Sequence, residues 1–348
     1  MLKTALRILV AGAMVAVATG QSRAQENFQF SQTSAVLNGG GGQGDCGSST
    51  ECGDCISNDC CEQPCIGNWR DNTVVFAATD AWSNIGDGVI ALGSPFGAAR
   101  TQGNYGVRFG SNTGFGLGDS RVRAQVGSSY GAYDLKGRTN FTGATSASAV
   151  EQQIFATAGL YKRSDILNGD AIAWGVVYDY MYDSDWGAQG NSNLNFGQIR
   201  SIFGYALSES NEVGISSTLR AQSDSAALVG FTASRIHAVD QANIFWHHNW
   251  QSGGDTWLSV GAADSPTSWT LGFAGQAPLS RGVSLFTSAN YYIPGSATGA
   301  AGATEEIWNV TAGLSISLGG KAYNRTVSGN AGMPLLNVAD NGTFALQR

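Results

Sequence analysis

Residues 170–183 read DAIAWGVVYDYMYD. One alternate set is Ile172, Trp174, Val176, Tyr178, Tyr180 and Tyr182; the other is Ala171, Ala173, Gly175, Val177, Asp179, Met181 and Asp183. The first set is large, apolar and aromatic, with its tyrosines gathered at one end. The second is small or acidic. Successive side chains of a strand point to opposite faces, so the stretch predicts a strand with one greasy face. It is longer than the roughly 5–6 residues usual in soluble sheets. A strand of about 9–11 tilted residues crosses a bilayer, and aromatic residues gather where it meets the headgroups. A single such segment also fits a soluble sandwich, so recurrence of the pattern has to discriminate.

The pattern recurs over 72–81, 104–115, 120–134, 150–163, 196–208, 212–222, 228–236, 241–250, 255–263, 267–276, 281–293 and 305–318. The last is the sharpest. Trp308, Val310, Ala312, Leu314, Ile316 and Leu318 alternate with Asn309, Thr311, Gly313, Ser315 and Ser317. The polar faces are built from Gly, Ser, Asn, Gln and Thr, with interspersed charges at Arg121, Arg123, Arg200, Glu212 and Arg220. A soluble sheet would put many Lys and Glu on its outer face. A wet barrel interior tolerates this mixture instead, so these five residues are the candidate lumen-facing polar groups. Trp174, Tyr178, Tyr180, Tyr182, Trp246, Trp250 and Trp308 are the candidate interfacial aromatics.

Connections early in the chain alternate between short and long, as in outer-membrane barrels with short periplasmic turns and long outer loops. Single-chain bacterial barrels have an even number of strands, whereas the segments above, with 170–183, make an odd set. The surplus is expected between 228 and 276, where segments are short. The fold expected is therefore all-β: an antiparallel transmembrane β-barrel of about twelve strands over 72–318, with ten or fourteen as alternatives. Residues 319–348 read as a polar C-terminal tail, with weak alternation only at 343–346.

Composition agrees. Glycine is 48 of 348 residues, about twice ordinary usage, and charged residues are 13%, about half of it. Six prolines exclude a proline-rich disordered chain. The net charge of −7 argues against a nucleic-acid partner. Residues 1–24 read as a signal peptide: Lys3 and Arg7 precede the apolar run ILVAGAMVAVA at 8–18, and small residues Ser22 and Ala24 precede Gln25. Residues 25–71 form a separate Gly- and Ser-rich segment carrying Cys46, Cys52, Cys55, Cys60, Cys61 and Cys65. In an exported chain an even count favours disulfides, and the alternative is a tetrahedral thiolate metal site built on the CxxC of Cys52 and Cys55.

Catalytic signals are sparse. The histidines are His237, His247 and His248, and the adjacent pair points to opposite faces of a strand and cannot jointly hold one metal. Gly118-Asp119-Ser120 is similar to the nucleophile block of some exported esterases, but it sits at a turn and the rest of that block is missing. Asp179, Asp183 and Asp185 fit a cation-attracting mouth, a calcium loop or a structural rim.

The segments VGSSYGAYDL at 126–135 and QQIFATAGLY at 152–161, behind a signal and a Cys-rich segment, resemble a family of planctomycete-type outer-membrane β-barrel proteins known as a domain of unknown function. The resemblance implies the barrel fold over about 72–318 and no residue roles. The expected function is a non-enzymatic outer-membrane barrel, either a porin-like channel passing small solutes or a structural envelope component, with no cofactor. Its expected partners are outer-membrane lipid and the outer-membrane assembly machinery. The alternatives are a secreted soluble all-β adhesion or binding domain, and an outer-membrane barrel hydrolase.

Overall fold

The computed structural model describes residues 69–84, 103–117, 120–133, 135, 150–186, 192–226, 234–264, 267–295, 306–324, 326–329 and 332–347. The signal-like segment and all six cysteines lie outside the described residues. The unit from Gly67 to Arg348 is built from β1 (Thr73–Ser83), β2 (Gly103–Gly116), β3 (Arg123–Tyr133), β4 (Glu151–Lys162), β5 (Ile172–Trp186), β6 (Ser192–Ser208) and β7 (Asn211–Ala226). It continues with β8 (Ser234–Ala238), β9 (Gln241–Asn249), β10 (Asp255–Ala263), β11 (Trp269–Pro278), β12 (Val283–Ile293), β13 (Ile307–Ser317) and β14 (Leu346–Gln347). Two short 3-10 turns are the only helical pieces among the described residues.

All pairings are antiparallel, and β1 pairs with β13 over its length, so the sheet closes on itself. β8 and β9 both pair with β7: Ser223 lies opposite His237, and Thr218 lies opposite Gln241. They are therefore two pieces of one barrel strand. The register slips by one residue between them, and it slips at the same level against β6, where Gly197 faces Gln222 but Gln198 faces Arg220. Both slips place one extra residue in β7 near Ala221, a β-bulge. Counted this way the barrel has 12 strands. The segments expected at 228–236 and 241–250 thus contribute one strand between them, which accounts for the odd count.

The faces follow the alternation. On β13, Val310, Leu314 and Ile316 are exposed, whereas Asn309, Thr311, Ser315 and Ser317 are buried. On β3, Val126 and Tyr130 are exposed while Gln125, Ser129 and Tyr133 are buried. Large apolar side chains face outward around the ring and polar ones face inward, the reverse of a soluble sheet. No described helix is long and apolar enough to cross a membrane, and the strands are the elements that do so. Their closure leaves no unpaired edge in lipid.

The connections sort by end. The two-residue turn at 209–210 and the turns at 250–254 and 279–282 share one end with the start of β1 and the close of β13. The long connections at 84–102, 134–150 and 294–306 lie at the other. β5, β6 and β7 run 15, 17 and 16 residues, against 9, 9 and 10 for β9, β10 and β11, so the β5–β7 wall stands taller. β8 belongs to that taller wall and has no partner in β10.

The segment read as a polar tail does not leave the barrel. Gly320, at φ 67, turns the chain back after β13. Asn324 then donates its N–H to Gly253 O at 3.0 Å and Val327 to Glu209 O at 2.7 Å, carrying the chain across the short-turn mouth. From Gly332 it runs up the lumen. It ends in β14, where Leu346 pairs with Ala238 and Gln347 with His237, completing the edge of β8. Leu336, Val338, Phe344 and Leu346 are buried there, and Val338, Phe344 and Leu346 pack with Phe155, Met181, Leu194, Phe196 and Ile236 of the wall. These apolar residues are too few to dominate the composition of 319–348, which is why the segment reads as polar in sequence.

Leu314, on the lipid face of β13, and Leu336, inside, test the two environments. Leu314→Arg is expected to destabilise the folded barrel in bilayers by about 2–4 kcal/mol, as for a cation near the midplane. Leu336→Ala is expected to cost about 2–5 kcal/mol by cavity formation without lowering lipid affinity. Denaturant titration in liposomes, with vesicle flotation, separates the two.

Candidate functional site

The inner wall of β1–β6 and the threaded segment 332–347 together form the polar interior, and most of its named contacts run between them. Tyr161 donates to Gly332 O at 2.8 Å, and Arg163 Nε donates to Met333 O at 3.0 Å. Higher up, Asn112 Nδ2 and Gln125 Nε2 both donate to Leu336 O, at 2.8 and 2.9 Å. Gln125 Oε1 accepts from the N–H groups of Leu335 and Leu336. Asn112, Gln125 and Tyr161 lie at inward positions of β2, β3 and β4, where strand alternation aims them at the lumen axis, and Arg163 directly follows β4. Close approach requires glycine on both sides: a Cβ at Gly114 would stand 2.1 Å from Gly332 O, and one at Gly332 would stand 1.9 Å from Asn72 Oδ1.

Charge is buried in compensated groups. Arg108 is almost fully buried, with its guanidinium 3.4 Å from Asp80 and 3.2 Å from Asp340 of the threaded segment. Asp80 also accepts from Tyr133 at 2.8 Å, Asn309 at 3.1 Å and Thr311. Arg200 pairs with Asp179, whose carboxylate also accepts from Thr157 at 2.7 Å and Gln198 at 3.2 Å. Gln153 bridges Asp183, at 2.8 Å, and Asn341 of the segment, at 2.8 Å. Near the short-turn end, His247 Nδ1 lies 3.1 Å from Glu212 and its ring stacks on Trp257 at 3.9 Å. An unpaired buried charge would be costly, and these partners offset part of that cost.

On the β9–β13 side the segment also meets the wall: Ala345 packs with Tyr292 and Ile307, and a Cβ at Gly342 would stand 2.4 Å from Asn290. A cavity of about 40 Å³ to a water-sized sphere lies between Asn341-Gly342 and the neutral side chains of Asn243, Ser259, Thr270 and Asn290. It has room for a few waters.

The structure distributes the sequence-predicted lumen residues as follows. Glu212 is buried inside, and Arg200 is half-buried there against Asp179. Arg123 shares the inward parity of Gln125 and is half-buried at the mouth. Arg121 lies outside the lumen: it precedes the first residue of β3, so the alternation does not reach it, and it pairs with Asp170 at 3.0 Å on the exposed rim. The hydrogen bond from Lys162 holds the Asp170 carboxyl below its ordinary pKa. Arg220 is exposed beside the β7 bulge, near Asp240 and Asp264. Trp174, Tyr178, Tyr180, Tyr182, Trp246, Trp250 and Trp308 all sit on the outward parity of their strands or at their ends, Tyr178–Tyr182 and Trp308 towards the long-loop end, Trp174, Trp246 and Trp250 towards the short-turn end. Several keep a polar handle, as Trp250 does by donating to Thr256 at 2.9 Å.

Asp179 and Asp183 face the lumen and are engaged by its wall, and the side chain of Asp185 lies outside the described residues. His247 points inward and His248 outward, between Trp246 and Trp250. Ser120 donates to the backbone of Leu117 and Val122, and Gly118 and Asp119 lie outside the described residues. Among the described residues no group of three or more His, Cys, Asp or Glu is placed to hold a metal ion. The sequence reading did not single out Asp80, Arg108 or Asp340, and it placed Gln125 on the polar face of its strand without a role. Their signal is a polar or charged residue on the small-residue face of an alternating strand, and for Asp340 the apolar pairs that flank it.

The sequence model of DUF6666, a family of unknown function, matches residues 72–346. No curated protein matches the chain. Solved structures similar to it include the COG4313 outer membrane channel from Pseudomonas putida F1, at 10% identity and TM-score 0.44 over 70% of this chain and 95% of that one. The translocator domain of the autotransporter NalP from Neisseria meningitidis is similar at 10% identity and TM-score 0.41 over 71% and 89%. Outer membrane phospholipase A from Escherichia coli is similar at 11% identity and TM-score 0.38 over 70% and 95%.

Two substitutions probe the grip on the threaded segment. Gly114→Val is expected to push Gly332 away while the barrel stays closed, so limited proteolysis should cut within 321–340 faster at unchanged heat-shifted gel mobility. Arg108→Ala leaves Asp80 and Asp340 buried together and is expected to destabilise by about 3–5 kcal/mol in urea titration.

Proposed function

The chain belongs to that family, and on this premise we propose that it is a non-enzymatic outer-membrane barrel whose lumen is held closed by its own C-terminal segment. The observation that carries this reading is the bonding of the segment at Leu335 and Leu336 to Gln125 and Asn112, with the apolar packing of Val338, Phe344 and Leu346 above it. The cavity of about 40 Å³ beside Asn341 has room for a few waters and is too small for a nutrient-sized solute. The family match runs to residue 346 and so takes in the segment together with the barrel. The outward ring of apolar side chains supports residence in lipid, and the short turns point to the periplasm as in other single-chain barrels. The C-terminal end then lies at the outer mouth. Export by the N-terminal segment and insertion by the outer-membrane assembly machinery belong to the same reading. Porin-like passage of small solutes requires the plug to move, and with the plug in place the protein is a structural component of the envelope.

Planar-bilayer recording compares the full chain with a chain ending at Gly320. The full chain is expected to hold the baseline and the shortened chain to give resolved, long-lived steps. Equal steps from both would overturn the closed-barrel reading. Heat-shifted gel mobility reports in each case that the barrel has formed.

A further inference from the structure

The wall reads the threaded segment through its main chain. Gln125 and Asn112 bond the peptide groups of Leu335 and Leu336. Arg200 Nη2 donates to Asn337 O at 2.7 Å. Thr157 Oγ1 accepts from Ala339 N–H at 2.9 Å, and Arg108 donates to Ala339 O at 3.3 Å. At the far end Asn84 donates to Phe344 O at 2.8 Å and accepts from Leu346 N–H at 2.9 Å, after which β14 adds to β8 by strand pairing. Contacts to the segment's polar side chains are fewer in kind, Arg108 with Asp340 and Gln153 with Asn341 being the buried ones.

The side-chain reading is steric. Gly175 and Gly127 open space on the wall, and a Cβ there would stand 2.6 Å from Leu336 and 2.5 Å from Val338. Leu336 and Val338 are buried while Asn337 between them is exposed. Backbone bonds for affinity and alternate pockets for side chains are how an extended peptide is recognised when it adds to a sheet. A stopper needs only volume, whereas this wall supplies fixed amides and a guanidinium to successive peptide groups of a chain with no secondary structure of its own.

We propose that the lumen is a binding site for extended polypeptide, filled in cis by residues 332–347 and able to take a second extended peptide in trans. The ligand class is an unfolded segment with apolar side chains at alternate positions and free N–H groups where Leu336 and Ala339 stand. This deepens the plugged-barrel reading by naming what the lumen holds.

The test uses the full chain with a specific protease site inserted after Gly320, cut once the barrel has folded. A fluorescein-labelled synthetic peptide of residues 332–347 is then added and its anisotropy followed. Saturable uptake by the cut barrel and none by the uncut one is expected. N-methylation at Leu336 and Ala339 should weaken uptake about tenfold or more, since two buried hydrogen bonds are lost. Replacing Leu336 in the peptide by methionine, a volume-conserving swap that keeps every N–H, should change it by less than about tenfold. An N-methylated peptide that binds as well as the parent overturns the proposal. So does absence of uptake by both the cut barrel and the chain ending at Gly320, which has no plug to displace, when each keeps its heat-shifted mobility. Conductance of the full chain equal to that of the shortened one would overturn closure alone and leave peptide uptake to be judged on its own data.

Discussion

Everything in this molecule depends on the closing of the ladder between β1 and β13. In hydrocarbon each unpaired N–H or C=O costs several kcal/mol, so a sheet survives there only without edges. Closure fixes the two faces of every strand, and with them the composition. Leu314 and Ile316 can face lipid only because Ser315 and Ser317 can face inward. Among the described strands the ladder is irregular near Trp186, near Ser208 and at the bulge near Ala221; at the last of these β8 outlasts β10, and there the chain's own end, β14, completes the edge.

The same accounting governs the interior. A segment without regular structure carries its peptide groups into the lumen, where they need partners. Strand geometry supplies them, because inward side chains on neighbouring strands stand side by side and can reach consecutive peptide groups. Asn112 on β2 and Thr157 on β4 both lie level with Gly127 of β3, and Gln125 stands two residues along β3; together they bond the peptide groups of Leu335, Leu336 and Ala339. Each amide–carbonyl bond contributes about 0.5–1.5 kcal/mol net, so the hold on the segment is cumulative. Arg108 ties the two systems together, since its guanidinium lies between a carboxylate of the wall, Asp80, and one of the segment, Asp340.

The lumen is also lopsided. The β1–β6 wall carries Asp80, Arg108, Asp179 and Arg200 and supplies most of the named hydrogen bonds to the segment, while Glu212 and His247 lie on β7 and β9. The β9–β13 wall offers Asn243, Ser259, Thr270 and Asn290, neutral groups that leave a small wet cavity. The segment is bonded along one wall and packed against the other, and its release breaks no pairing of the closed β1–β13 ladder, which is the physical basis for treating the plug as a ligand of the barrel.

The sequence by itself determined the barrel. Strand alternation has a strict period of two, and an outer face that never meets water removes the charges which blur that period in soluble sheets. The lipid-facing set at Trp308–Leu318, the aromatic ends and the surplus segment between 228 and 276 were therefore legible. What the sequence left open was the contents of the lumen. Arg200 and Glu212 were recognisable as inward, but their partners lie on other strands or in a segment more than a hundred residues away. Arg121 was misplaced because parity fails outside a strand's paired length. Residues 319–348 read as a tail because their fold is borrowed: Leu336, Val338, Phe344 and Leu346 have no period that forms a sheet alone, and they become ordered only against side chains that the closed barrel has already set in place.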